Sequence, residues 1–190
     1  LPITDDLQFP ACSLRVASGN LLMPGRMVDI AEFRSQTSTV RKIDFSNATI
    51  TVNDWAIDVR NATSVDNGAG SFITARVFFV VNGFTYPKVH SDAVQNSVNI
   101  TGATIGELVF TNTSVTTDVT ALSGNGGNTI GTLDVRGGGV DFRGTNTINN
   151  LLLASSRTYY FRGTQTITGL FRFNSPDCNG LGELRDLDGT

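Results

Sequence analysis

One pattern returns along the second half of this chain, and that recurrence limits the available folds more than any other feature. ATIGELVF (103–110), NTIGTLDV (128–135), NTINNLLL (146–153) and QTITGLFRF (from 165) share Thr-Ile at positions two and three and Leu at position six. An apolar residue also stands at position eight, except in the last copy. A partial copy, ATITV, starts at Ala48. The full copies start 25, 18 and 19 residues apart, a period of solenoid size.

Ile and Leu three apart do not share a face of one flat strand, but both point inward if the two residues between them turn a corner. GVDFRG (139–144) and TYYFRG (158–163) then supply a second strand in the interval. Such a unit is too short to bury its own apolar residues, so it must stack on its neighbours, with equivalent strands pairing in parallel about 4.8 Å apart. The prediction is an all-β chain folded as a right-handed parallel β-helix with coils of about 18–25 residues. A leucine-rich repeat needs an LxxLxLxxN pattern that is absent here, and a jelly roll or immunoglobulin-type sandwich does not predict similar octets in successive coils. The first half carries alternating stretches (RKIDF, WAIDV, FITARVFFV, SVNI) without a clear octet, which reads as irregular coils, with RNATSVDNGAGS (60–71) projecting as a loop. No linker interrupts the chain, so residues 1–190 read as a single β-helix segment.

Composition agrees. There are 24 Thr, 16 Asn, 14 Ser and 20 Gly, against 16% charged residues, a balance that suits short strands and tight turns. The net charge of -3 argues against a nucleic-acid binder, and no apolar run is long enough to span a membrane. The start at Leu1 suggests a segment of a longer protein. Twelve Arg against 2 Lys and 14 Asp against 3 Glu lean toward an extracellular setting. Cys12 and Cys178 have no zinc-ligand spacing.

IDFSNATITVNDWAID (43–58), the NTINNLLL and QTITGLF octets and the closing FNSPDCNGLGELRDLDGT resemble the repetitive extracellular proteins of Bacteroidota, including gliding-motility adhesins and other β-helical surface proteins. The resemblance covers about two thirds of the chain and rests on scaffold motifs rather than catalytic ones. It implies a cell-surface location, export by type IX secretion, neighbouring domains of the same long chain as partners, and Gly189 and Thr190 lying mid-protein. Stacking about eight coils at about 4.8 Å would separate Cys12 from Cys178 by tens of Å, so no disulfide joins them.

Residues with chemical potential are few. His90, the sole histidine, stands near Lys88 and Asp92, an acid/base grouping whose simpler reading is a surface loop. Asp134 with Asp141, and Asp44, Asp54 and Asp58, are carboxylate groups of the kind that cleave glycosides when held together, but on alternating strands they read first as solvent-facing. SGNGGNTIGTLD (123–134) resembles one imperfect copy of a Gly-rich calcium loop but reads first as an ordinary turn, so no cofactor is expected and Ca2+ is the alternative; RNATSVDNG, with Asp66, lacks EF-hand spacing. Trp55, Phe78, Phe79, Phe84 and Tyr86 read as core rather than sugar platforms, and of the adjacent Tyr159 and Tyr160 one must point outward. Sequons at Asn47, Asn61, Asn99 and Asn112 are no more than chance provides. The expected function is a non-enzymatic structural and binding segment of a secreted adhesin, with surface polysaccharide as a partner. A β-helical polysaccharide lyase or glycosidase, and a capsid or tail-fibre-like β-helix, are the alternatives.

Overall fold

The computed structural model describes residues 3–37, 39–58, 72–81, 85–92, 98–112, 119–123, 127–174 and 183–186. Among them there is no helix, and parallel strands stack as a β-solenoid, the architecture of a parallel β-helix. The first half contains β1 (Leu7–Arg15), β2 (Gly19–Leu22), β3 (Met27–Gln36), β4 (Arg41–Asp44), β5 (Thr49–Asp58), β6 (Phe72–Val81), β7 (Thr85–Ser91) and β8 (Val98–Thr101). The second contains β9 (Thr104–Phe110), β10 (Val119–Ser123), β11 (Asn128–Val135), β12 (Gly139–Phe142), β13 (Asn146–Ala154), β14 (Thr158–Phe161), β15 (Gln165–Ile167), β16 (Phe171–Asn174) and β17 (Glu183–Asp186). β1, β3, β5 and β6 lie one on the next as long strands. β6 then divides the path: its first part pairs with β7 and its last part with β8. Below it two stacks run separately, β7-β9-β11-β13 and β8-β10-β12-β14-β17.

Because the pairing is parallel and in register, equivalent side chains sit over one another. Ile105, Ile130, Ile148 and Ile167 form one column. A longer one runs Leu7, Val28, Ile50, Ile73, Val89, Leu108, Leu133, Leu151 and Phe171. Ile130 and Leu133 are both buried with half-buried Gly131 and Thr132 between them, so the octet does turn a corner. The corner is tight: a Cβ on Gly106 would stand 2.5 Å from the carbonyl oxygen of Pro87 in the coil before. GVDFRG and TYYFRG provide β12 and β14 as expected.

Three details depart from the sequence reading. Ile50 of ATITV falls in the column of the octet's Leu, not its Ile, because it pairs through Ile73 and Val89 to Leu108. In the last copy one extra residue at the corner lets Phe171, not Leu170, pair with Leu151, and Leu170 is left exposed. The step from Ile73 to Val89 takes 16 residues, a shorter coil than expected.

The first half fills its core with rings. Phe33 stacks on Trp55 at 4.5 Å, Phe45 meets Phe33 edge-on at 5.3 Å, and Trp55 Nε1 donates to Tyr86 Oη at 3.3 Å. The second half adds a buried polar column. Asn128 Nδ2 donates to Asn146 Oδ1 and Asn146 Nδ2 to Gln165 Oε1, both at 2.8 Å, while the two amides also bond the main chain at Ile100 and Arg143. Arg41, also buried, holds the turn between β3 and β4 through the carbonyls of Ser35, Thr37 and Thr39 and the Ser35 hydroxyl.

Truncating Ile148 to Ala, in the middle of its column, is expected to cost about 2–5 kcal/mol in urea unfolding, whereas Thr147→Ala on the outward side of the same strand should cost about 1 kcal/mol or less. Asn146→Ala removes one partner from buried Asn128 and one from half-buried Gln165, and the same measurement should register a loss of about 1–3 kcal/mol.

Candidate functional site

Among the described residues, the outward side of the β7-β9-β11 stack brings together Lys88, His90, Glu107, Asp134 and Arg136. Strand alternation sends Lys88 and His90 outward while Val89 enters the core, and the register sets Lys88 between Phe72 and Glu107. Lys88 Nζ lies 3.1 Å from Glu107 Oε1 and 5.7 Å over the Phe72 ring; His90 Nε2 stands 3.6 Å from the same Glu107 oxygen and packs edge-on against Phe72 at 4.7 Å. One rung on, Asp134 is held by Arg136 at 2.9 Å. Val109, between His90 and Asp134 in its column, points outward yet is fully covered.

His90 therefore belongs to a strand rather than a surface loop, and its partner is Glu107, not Asp92, which pairs with Arg76 at 3.8 Å. Burial holds the imidazole below its usual range, and the Lys88 charge pushes it the same way against the opposing pull of Glu107. A neutral imidazole beside a carboxylate has the chemistry of a proton acceptor. Glu107 was not singled out from sequence because it is 17 residues from His90; the coil period of about 19, applied to Lys88, would have found it.

The carboxylate groupings do not assemble. Asp134 and Asp141 lie on successive strands, β11 and β12, and each has its own arginines. Asp141 is not solvent-facing: its side chain is 5% exposed, roofed by Arg143 at 2.6 Å and Arg162 at 3.1 Å. Those two arginines are equivalent residues of the FRG repeat on neighbouring rungs, so like charges stack and the buried Asp141 offsets them. Asp44 closes a turn, accepting from the Ser46 hydroxyl at 2.6 Å and its N–H at 3.0 Å, and those bonds hold its carboxyl below the usual range. Asp54 is on β5, and the Asp58 side chain lies outside the described residues.

Of the calcium-loop reading, residues 124–126 lie outside the description, while Asn128 is committed to the buried amide column and Asp134 to Arg136. Asp66, Phe84, Cys178, Gly189, Thr190 and the Phe79 side chain also lie outside it. Among the described residues no three His, Cys, Asp or Glu side chains converge as metal ligands. Trp55, Phe78 and Tyr86 are core residues. Tyr159 is buried, its hydroxyl donating to the Ala154 carbonyl at 2.8 Å and pushed up to about 12 by burial; Tyr160 faces outward, half-buried. Cys12 is a free, exposed thiol on β1.

Two open depressions lie toward the ends of the stack. One is bordered by Arg15, Val16, Arg34 and Thr37, the other by Phe161, Gln165, Leu184 and Arg185. Compared with known proteins, the chain matches no family model, and no curated protein or solved structure matches it significantly.

As the sole histidine, His90 gives an unambiguous imidazole signal in a proton NMR titration. Its midpoint should fall below 6.5, rise in Lys88→Met and fall further in Glu107→Gln. Since folding lowers this pKa, the native state binds fewer protons than the unfolded chain: the histidine's contribution to stability is present above pH 6.5 and is lost as the pH falls below it.

Proposed function

We propose that this chain is a rigid β-helical segment of a secreted bacterial cell-surface adhesin, spacing or presenting binding surfaces away from the cell, with surface polysaccharide and neighbouring domains of a longer chain as its partners. The observation that carries this reading is the apolar column running unbroken from Val28 to Leu151, which makes one continuous core along the stack. A solenoid of this kind transmits load along its axis while its sides remain available for contact. Its flanks suit the role, since Lys88–Glu107, Arg136–Asp134 and Arg143–Asp141 compensate one another and leave a polar, self-paired surface. The resemblance of its repeats to Bacteroidota surface proteins points the same way.

The Lys88–His90–Glu107 cluster favours one second reading, a β-helical polysaccharide lyase or glycosidase in which His90 serves as the base. One experiment separates the two. Beads carrying the purified chain, challenged with a panel of bacterial surface polysaccharides, should retain at least one without shortening it. Release of new reducing or unsaturated sugar ends, abolished by His90→Ala, would establish the enzymatic reading instead, and failure to retain any polysaccharide counts against the adhesin.

A further inference from the structure

Five threonines stand over one another on one side of the stack. Thr85, Thr104, Thr129, Thr147 and Thr166 pair in register from β7 to β15, all of them exposed, each one place before the inward column of Tyr86, Ile105, Ile130, Ile148 and Ile167. Thr145 and Thr164, also exposed, add a second row on two of these rungs, where Thr-Asn-Thr and Thr-Gln-Thr alternate about the inward amides. Two places after the threonine column the outward residues include Gly106, Gly131 and Asn149. Among the described residues, these three columns hold no charged side chain and no aromatic ring. The charges stand elsewhere, Lys88 and Glu107 at the corner and Arg143 and Arg162 before the turn. Among the described residues, no hydrogen bond occupies the seven threonine hydroxyls of the two rows.

We propose that this threonine face binds ice. A dissolved sugar chain is recognised by aromatic rings, charges or a cleft. A repeating array of hydroxyls and methyls is matched instead to a repeating, uncharged solid. The array repeats about every 4.8 Å from rung to rung and about every 6.6 Å between alternate residues of one strand. The prism faces of hexagonal ice repeat at close to both spacings, so waters held by successive hydroxyls stand where lattice waters stand. The array is also set in advance. The inward Ile column and the Asn128–Asn146–Gln165 hydrogen bonds fix the rungs beneath it, and β-branched threonine has little χ1 freedom to lose. Each bridging water contributes little alone, and the contributions add along the column. The methyl groups between them leave liquid water as the crystal closes over them. This binding is independent of whether the chain retains polysaccharide.

The test grows ice slowly from a dilute solution of the 190-residue chain and measures its concentration in the ice and in the remaining liquid. The wild type should be taken up into the ice and should stop recrystallisation in a fine-grained frozen film. Thr129→Tyr and Thr147→Tyr each set a ring in the middle of the array and should abolish both effects. Thr51→Tyr, exposed on β5 in the outward column of His90, should behave as the wild type. Circular dichroism with thermal melts verifies that each variant folds. A wild type excluded from ice as ordinary solutes are overturns the proposal. Uptake that survives both ring variants, or that Thr51→Tyr loses equally, overturns it too, because the contact then lies elsewhere. Adsorption of the wild type to crystalline cellulose, together with exclusion from ice, also overturns it and assigns the face to a solid polysaccharide.

Discussion

Parallel pairing in register is the constraint on which this molecule depends. It sets each side chain over its counterpart one coil away, so a residue type is favourable in proportion to how well it tolerates its own kind as a neighbour at about 4.8 Å. Aliphatic side chains tolerate it without limit, and the Ile and Leu columns result. Primary amides tolerate it too, each being donor and acceptor at once, and Asn128, Asn146 and Gln165 pass hydrogen bonds along the axis. A buried amide column also penalises misalignment, since a slip of one residue would set Asn128 opposite the outward-facing Thr145 or Thr147 and leave its amide bond to Asn146 unmade.

Charges do not tolerate it, and the outer surface carries the compensations. Where the FRG repeat copies Arg143 as Arg162 on the next rung, the carboxylate of Asp141 is tucked beneath both. On the other flank the stacked residues differ in sign, Lys88 over Glu107. The grouping around His90 thus has a structural origin in cross-rung charge pairing, whatever chemistry it also supports. His90 is set apart within it by being half-buried against Phe72 and close to a carboxylate already engaged by a lysine.

The fold was legible where a coil repeats its residues. Four octets carry Ile and Leu at the same offsets, and their recurrence assigns Ile105, Ile130, Ile148 and Ile167 to one column. Legibility fails where the column survives but its residues change. The long column contains Val28, Ile50, Ile73 and Val89 before it reaches the leucines, so no identity marks the register and ATITV was aligned to the wrong column. The slip at Leu170 was hidden for the opposite reason, as the octet looks intact although an added residue has moved Phe171 into place. The amide column was visible as an Asn or Gln opening the last three octets, but its meaning required knowing that those positions face inward. Individual candidates fared according to distance along the chain: Lys88 and His90 are near in sequence, while Glu107 and the arginines over Asp141 become neighbours only after a full coil.

A coil in this stack touches only the coil before and the coil after, which has a mechanical side. Tension applied along the axis bears first on whichever end coil has a single neighbour, and stripping it away leaves the next in the same position. Each coil released in this way frees about 20 residues, or about 70 Å of extended chain, while the remainder keeps its shape. A stack of this kind lengthens in discrete increments under load, because its units are too small to fold alone.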